Sequence, residues 1–285
     1  MAERIDNIGF GDLQLIQEPS EFCYGVDAVL LADFAAAAAR HGGSQVRDGR
    51  GGSGKAAAKS EVGTGDGKVA GARATGIGTI VDLGTGTGIV PLILSYKTDA
   101  ERIIGVEVQK GSYERAVRSA AQNGLEGRVS FVNCDVKDVS KAVESVDVQK
   151  IAGLKGSVDI VTSNPPYMKG SCGLTNTNDA KMIARHETTA SLDDFLECAA
   201  FLLKNHGSLF MVHRPSRLVD LFAGGRKLGL EPKKLQMVSP KEGKPANIVL
   251  VQMVKGGGSE LTILPELHVY TEEGEYTEEL RARYR

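Results

Sequence analysis

The run Asn164-Pro165-Pro166-Tyr167, placed directly after the β-branched stretch Val158–Thr162, is the part of this chain best equipped for chemistry on a bound group. A planar amino nitrogen, such as the exocyclic amine of adenine or the amide of glutamine, is a weak nucleophile because its lone pair is delocalised into the π-system. Two acceptors that take its two N–H bonds help it toward tetrahedral geometry, and the Asn164 side-chain oxygen and the Pro165 carbonyl form such a pair. Proline at 165 and 166 stiffens the turn and removes competing donors, while the Tyr167 ring offers a flat face for stacking. No general base is needed before attack, so catalysis rests mostly on positioning.

A second set of residues could hold a ligand beside that run. Thr79-Ile-Val-Asp82-Leu-Gly84-Thr-Gly86-Thr-Gly88 reads as a buried strand entering a glycine turn and then a helix. Glycine lets the backbone turn sharply and approach a ligand with no Cβ in the way. A dinucleotide site would carry Gly-x-Gly-x-x-Gly against a pyrophosphate. Here the spacing is Gly-x-Gly-x-Gly, with an acid two residues before the first glycine. The next strand ends in Glu107, 19 residues after Gly88, and a carboxylate there can accept from two ribose hydroxyls. A third strand ends in Asp135. Alone, each acid reads as a helix cap or a solvated loop residue. In order on successive strand ends, they read as one cradle.

These residues need a scaffold that brings strand ends together. β-branched runs at Gly78–Leu83, Ile103–Val108, Val129–Asn133, Val158–Thr162, Ser208–His213 and Ile248–Val254 alternate with helical patterns at Ile89–Tyr96, Ser112–Asn123, Leu192–Leu203 and Ser216–Leu228. The alternation predicts an α/β fold, Rossmann-like, with a mostly parallel sheet and helices on both faces. Ligands of such sheets sit outside the carboxyl ends of the strands, which is where every motif above falls. A further helix is expected from about Val26 through the alanine run Ala35–Ala39.

Residues 41–78 break the pattern. Of these 38 residues 12 are glycine and none is aromatic, which predicts a flexible connector. It holds Gly49-Arg-Gly-Gly-Ser-Gly54-Lys55, one residue short of a phosphate-binding loop: Ala56 replaces the Ser or Thr that would ligate magnesium, and no strand precedes it. One globular domain is thus expected from residues 1–40 and 79–285. No apolar stretch reaches the ~18 residues of a membrane span, and the first ten residues lack a signal-peptide pattern. Cys23, Cys134, Cys172 and Cys198 are scattered, so reduced cytoplasmic thiols are expected rather than a metal site or disulfide framework. Residues 204–255 carry a local charge of +7 and residues 256–285 one of −4, which suggests an anionic partner on one face.

The acid and glycine spacing resembles motif I of class I methyltransferases. The resemblance implies S-adenosylmethionine as cofactor, with Asp82 facing its methionine ammonium, Gly84, Gly86 and Gly88 forming the turn beneath it, Glu107 on the ribose and Asp135 on the adenine amino group. Phe22-Cys-Tyr24-Gly25-Val-Asp27 looks like the N-terminal segment that covers the methionine end of the cofactor in amino-methyltransferases, so Tyr24, Gly25 and Asp27 join the cofactor set, as does Asn164. With Ala184-Arg185-His186-Glu187, Val212-His213-Arg214-Pro215 and Tyr276-Thr-Glu-Glu, the layout resembles the bacterial family that methylates N6 of adenine-37 in valine tRNA. That implies a tRNA anticodon loop as partner, with neither membrane nor metal, and methyl transfer at Asn164, Pro165, Pro166 and Tyr167. Alternatives are glutamine N5-methylation of peptide-chain release factors, RNA guanine N2-methylation, DNA adenine methylation and a non-catalytic RNA-binding scaffold.

Overall fold

The computed structural model describes residues 3–20, 23–41, 77–141, 143–166 and 190–285. Tyr167, Arg185, His186, Cys172 and nearly all of the glycine-rich connector lie outside these residues. In chain order the elements are β1 (Arg4–Asn7), β2 (Gln14–Gln17), α1 (Val26–His41), β3 (Thr79–Leu83), α2 (Ile89–Lys97), β4 (Arg102–Val106), α3 (Lys110–Gln122), β5 (Val129–Val132), α4 (Val136–Val139), α5 (Val146–Ala152) and β6 (Val158–Ser163). They continue with α6 (Leu192–Leu202), β7 (Leu203–His213), α7 (Leu218–Lys227), β8 (Leu230–Ser239), β9 (Ile248–Lys255), β10 (Thr262–Ile263), β11 (Leu267–His268) and α8 (Glu278–Ala282).

The main sheet runs β5-β4-β3-β6-β7-β9-β8, with short β10 and β11 added on β8. All neighbours from β5 to β7 are parallel, whereas β9 is antiparallel to both β7 and β8. Strand order reverses between β3 and β6, which opens a crevice at their carboxyl ends. The central strands are buried on both sides, so they read as near-continuous apolar runs. Alternation divides them between two cores. Ile80, Ile103 and Ile160 face α1 and α2, whereas Val81, Leu83, Ile104 and Val161 face α4 to α6.

The expected strands and helices are present with ends moved by a few residues. The largest shift is β7, which begins at Leu203 rather than Ser208. β8 was not expected from sequence. Its lysines, Pro232 and a register shift beside that proline masked a strand in which Leu230, Leu235 and Val238 are buried. The N-terminal segment is also more than a helix. β1 and β2 form a hairpin tied to α3, with the Ile16 N–H donating to Ser119 Oγ at 3.0 Å and the Gln14 N–H to Asn123 Oδ1 at 2.9 Å.

Asp33 of α1 anchors the far end of the chain. It pairs with Lys97 at 2.8 Å and with Arg283 at 2.7 Å, all largely buried. Removing one member of such a buried set leaves an uncompensated charge.

Candidate active site

The crevice is built where β3 meets β6. Asp82 lies near the end of β3, is 2% exposed, and accepts a 2.6 Å hydrogen bond from the Thr162 hydroxyl of β6. Burial pushes its carboxyl up to about 7, and the nearby Glu107 charge adds to this, while the Thr162 and Thr85 hydroxyls oppose it. Thr162 went unnoticed in the sequence, although a hydroxyl two residues before Asn164 in an apolar strand was the available signal.

The glycine turn follows Asp82. The Gly84 and Thr85 N–H groups both donate to the Val106 carbonyl, at 2.9 and 3.0 Å, folding the turn over the end of β4. Gly86 has φ of +59° and its N–H donates to Glu107 Oε2 at 2.8 Å. A Cβ built on Gly86 meets nothing within 4 Å, so open space lies above it. Gly88 serves a different end: with φ of +88°, its absent Cβ makes room for the Phe131 ring, which would otherwise stand at 2.8 Å.

Glu107, 5% exposed, holds its second oxygen against the Gln109 N–H at 2.8 Å. Asn133, another residue missed from sequence, donates from Nδ2 to the Glu107 carbonyl at 2.7 Å and to that of Val108 at 3.1 Å, clasping the ends of β4 and β5. Asp135 stands at the N-cap of α4. It accepts from the Lys137 N–H at 3.0 Å and pairs with the Lys137 ammonium at 3.2 Å.

Asn164 and Pro165 continue from β6 across the crevice, Asn164 half-buried and Pro165 buried, with Pro166 exposed. Asn164 Nδ2 donates to Asp27 Oδ2 at 3.1 Å. An ionised carboxylate only accepts, so this bond fixes the amide with its nitrogen toward Asp27 and its oxygen turned away. The other Asp27 oxygen accepts from the Ala28 N–H at 3.0 Å at the start of α1. A Cβ on Gly25 would stand 2.8 Å from that oxygen, which explains a glycine two residues earlier. Asp27, expected with the segment that covers the cofactor, thus meets the Asn164 run. Tyr24 is half-buried and lies toward Tyr276 and Tyr284 in a neighbouring cleft.

His213 ends β7, the next strand beyond β6, and its Nδ1 accepts from the Arg214 N–H at 2.8 Å. Burial, followed by the charges of Arg217 and Arg214, pushes its imidazole down to about 4, so it is neutral at pH 7. Burial likewise raises the Cys134 thiol, to about 12, and that of Cys198, so neither is a nucleophile near neutral pH. Among the described residues no His, Cys, Asp or Glu group of three or more gathers to hold a metal ion. No described helix is long and apolar enough to cross a membrane.

The basic segment does not form one face. Arg214, Arg217, Lys241 and Lys244 follow the carboxyl ends of β7 and β8, at the crevice end of the sheet. Lys204, Lys233 and Lys255 lie toward the opposite end and are engaged: Lys204 with Asp159, Lys233 with the Gly258 and Ser259 carbonyls, and Lys255 with those of Ala200 and Leu203.

Residues 71–171 match the family model of a methyltransferase domain. The tRNA1(Val) (adenine(37)-N6)-methyltransferase of Porphyromonas gingivalis is 32% identical over 141 residues, covering 50% of this chain and 51% of the relative. The enzyme of the same name from Cytophaga hutchinsonii is 26% identical over 60% of this chain and 66% of the relative. That from Mannheimia succiniciproducens is 29% identical over 78% of this chain and 85% of the relative. The chain therefore spans between half and two-thirds of the first two. A crystal structure from Agrobacterium tumefaciens, described as a predicted O-methyltransferase, superimposes with a TM-score of 0.55 at 21% identity, over 72% of this chain and 88% of that one. The fold is that of the Rossmann-like class I methyltransferases, on a sequence similar to the bacterial tRNA1(Val) adenine-N6 methyltransferases.

Proposed function

We propose that this protein is an S-adenosylmethionine-dependent N-methyltransferase whose acceptor is N6 of an unpaired adenine in RNA, adenine-37 in the anticodon loop of valine tRNA. The observation that carries the reading is the meeting of Asp27 with Asn164 beside the Asp82–Thr162 pair, which joins an amine-holding turn to a cation-ready acid in one crevice. The residues fit the cofactor: a buried carboxylate for its ammonium, an open glycine turn, and the buried Glu107 carboxylate, whose oxygens accept, for ribose hydroxyls. Asp135, which caps α4, would accept from the adenine amino group. The bound cofactor supplies an electrophilic sulfonium methyl.

In this mechanism the Asn164 oxygen and the Pro165 carbonyl accept the two N–H bonds of the acceptor amine, turning its lone pair toward the methyl. Asp27 keeps the Asn164 amide from rotating, and Pro165 and Pro166 keep the turn stiff. Tyr167 would supply a stacking face. An adenine must leave its stack to enter, which favours a single-stranded loop. Arg214, Arg217, Lys241 and Lys244 at the crevice end suit a phosphate backbone. The similarity to enzymes named for adenine-37 of tRNA1(Val) supports the nucleotide assignment.

The deciding experiment supplies methyl-labelled cofactor with unmodified valine tRNA in one reaction and a peptide-chain release factor in another. Label in the RNA, recovered as N6-methyladenosine, is the expected result. Label on the protein alone would replace the acceptor assignment with glutamine N5.

A further inference from the structure

Gln17 ends β2 with only 2% of its surface exposed. A buried amide costs stability unless its donor and its acceptor are both engaged. Here Gln17 Nε2 donates to Asp6 Oδ2 in β1, and Gln17 Oε1 accepts from the Tyr24 backbone N–H at 3.2 Å. A backbone N–H only donates and an ionised carboxylate only accepts, so the amide has one orientation. The first bond lies within the hairpin. The second leaves it and reaches the segment that enters α1.

Both ends of this bridge are anchored. The hairpin rests on α3 through Ser119 and Asn123, and Glu3 adds a two-pronged pair with Arg118 at 2.6 and 2.8 Å. α3 begins at Lys110, just after Glu107, so the hairpin is tied to the cofactor half of the sheet. Asp6 is itself held by Arg4 at 2.7 Å. At the other end the chain turns tightly after Tyr24. The Ala28 N–H donates to the Gly25 carbonyl at 3.2 Å and to Asp27 Oδ1 at 3.0 Å, and a Cβ on Gly25 would stand 2.8 Å from that oxygen. So short a turn has little slack, and where Tyr24 is held decides where Asp27 stands. Asp27 Oδ2 in turn accepts from Asn164.

We propose that Gln17 is a positioning residue for the acceptor turn: by holding the Tyr24 N–H it places Asp27, and through Asp27 it aims the Asn164 oxygen at the acceptor amine. This role rests on the acceptor reading of Asn164. It ties the geometry of that turn to the cofactor half of the fold, by a side chain that works at a distance from the reacting atoms.

Gln17→Met in the full chain keeps the length of the side chain and removes both hydrogen bonds. At saturating cofactor and acceptor, and well below the melting temperature of the variant, single-turnover methyl transfer should slow roughly three- to tenfold, as for one lost neutral hydrogen bond. The cofactor dissociation constant should stay unchanged. In an Asp27→Ala background the same substitution should slow nothing further, because the path is already cut. Gln17→Glu combined with Asp6→Asn exchanges amide and carboxylate, keeps an acceptor for the Tyr24 N–H, and should recover most of the rate. A second readout needs no acceptor: the Asn164 side-chain amide signals in a nitrogen-15 spectrum, assigned by their loss in Asn164→Asp. They should shift or broaden in Gln17→Met and return in the exchanged pair. Should Gln17→Met not fold, Asp6→Ala removes the partner of Gln17 in the hairpin and should move the same signals. Unmoved Asn164 signals, or a rate loss that adds in full to that of Asp27→Ala, overturn the proposal. Methyl label on a release factor in place of RNA would change the acceptor alone, since the amide signals report without one.

Discussion

The two sides of the crevice are made differently. On the proposed cofactor side, β3 to β5, the polar contacts join residues in adjacent parallel strands and the turns just after them: Gly84 and Thr85 to Val106, Gly86 to Glu107, and Asn133 to Glu107. On the proposed acceptor side, Asn164 depends on Asp27, which is 137 residues away and arrives on a helix packed across the sheet. A cradle drawn from neighbouring strands holds its shape wherever the sheet forms. An acceptor turn that relies on a distant carboxylate is right only when the N-terminal segment is docked. This contrast teaches that binding and turnover should separate cleanly when each side is altered.

The largest expected effect is at the acceptor turn. Asn164→Ala should lower kcat by at least ~100-fold, as for loss of one preorganised polar group at a reacting centre, with cofactor affinity close to wild type. Single-turnover kinetics beside calorimetry measure the two, and a parallel loss of both would erase the contrast.

Glu107→Ala is the mirror image. It removes a buried acceptor that also anchors the Gly86 and Gln109 amides, so the cofactor dissociation constant should rise about 10- to 150-fold. Equal affinity in mutant and wild type would take Glu107 out of the cradle.

Asp27→Ala sharpens the comparison because it removes the distant support of Asn164, along with one contact to the Ala28 N–H at the start of α1. We expect kcat to fall by roughly tenfold through a misoriented Asn164, with KM for cofactor little changed. Asp27→Asn, which can still accept from Asn164, should recover most of the rate. A loss confined to cofactor KM would instead move Asp27 to the cofactor side.

The smallest effect is a pH slope. The folded-state value for Asp82, about 7, lies above the ordinary carboxylate value of 3.8. The ligand-free protein therefore loses stability as pH rises from about 4 to about 7, because the unfolded chain releases that proton first. A bound ammonium favours the carboxylate, so below pH 7 binding must expel a proton. Affinity should then fall by up to about tenfold per pH unit below 7 and level off above it. Calorimetry in buffers of different ionisation enthalpy should find proton release at pH 6 and little at pH 8. No release at pH 6 would mean that Asp82 does not meet the cation.

How much was legible follows the same division. Asp82, the three glycines and Glu107 could be read because strand, turn and helix are local, and parallel β-α units place successive strand ends side by side. β8 could not, because lysines, a proline and a register shift beside Pro232 broke its alternation, and it is fixed by pairing with β9. Nor could Asp135 be divided between cap and ligand from its spacing, and the structure shows the cap in place.

By itself the sequence determined the alternating strands and helices from β3 to β7, the glycine turn, the acids at strand ends and the Asn-Pro run after β6, since all of these are patterns within one or two elements. Only the tertiary structure decided that Asp27 orients Asn164, that Thr162 meets Asp82, that the basic segment splits between two ends of the sheet, and that the tyrosines of the tail stack into a column. The Asp27–Asn164 and Asp82–Thr162 pairs join residues 137 and 80 positions apart, and their distance is set by how helices pack on the sheet and strands pair within it, which no local spacing encodes.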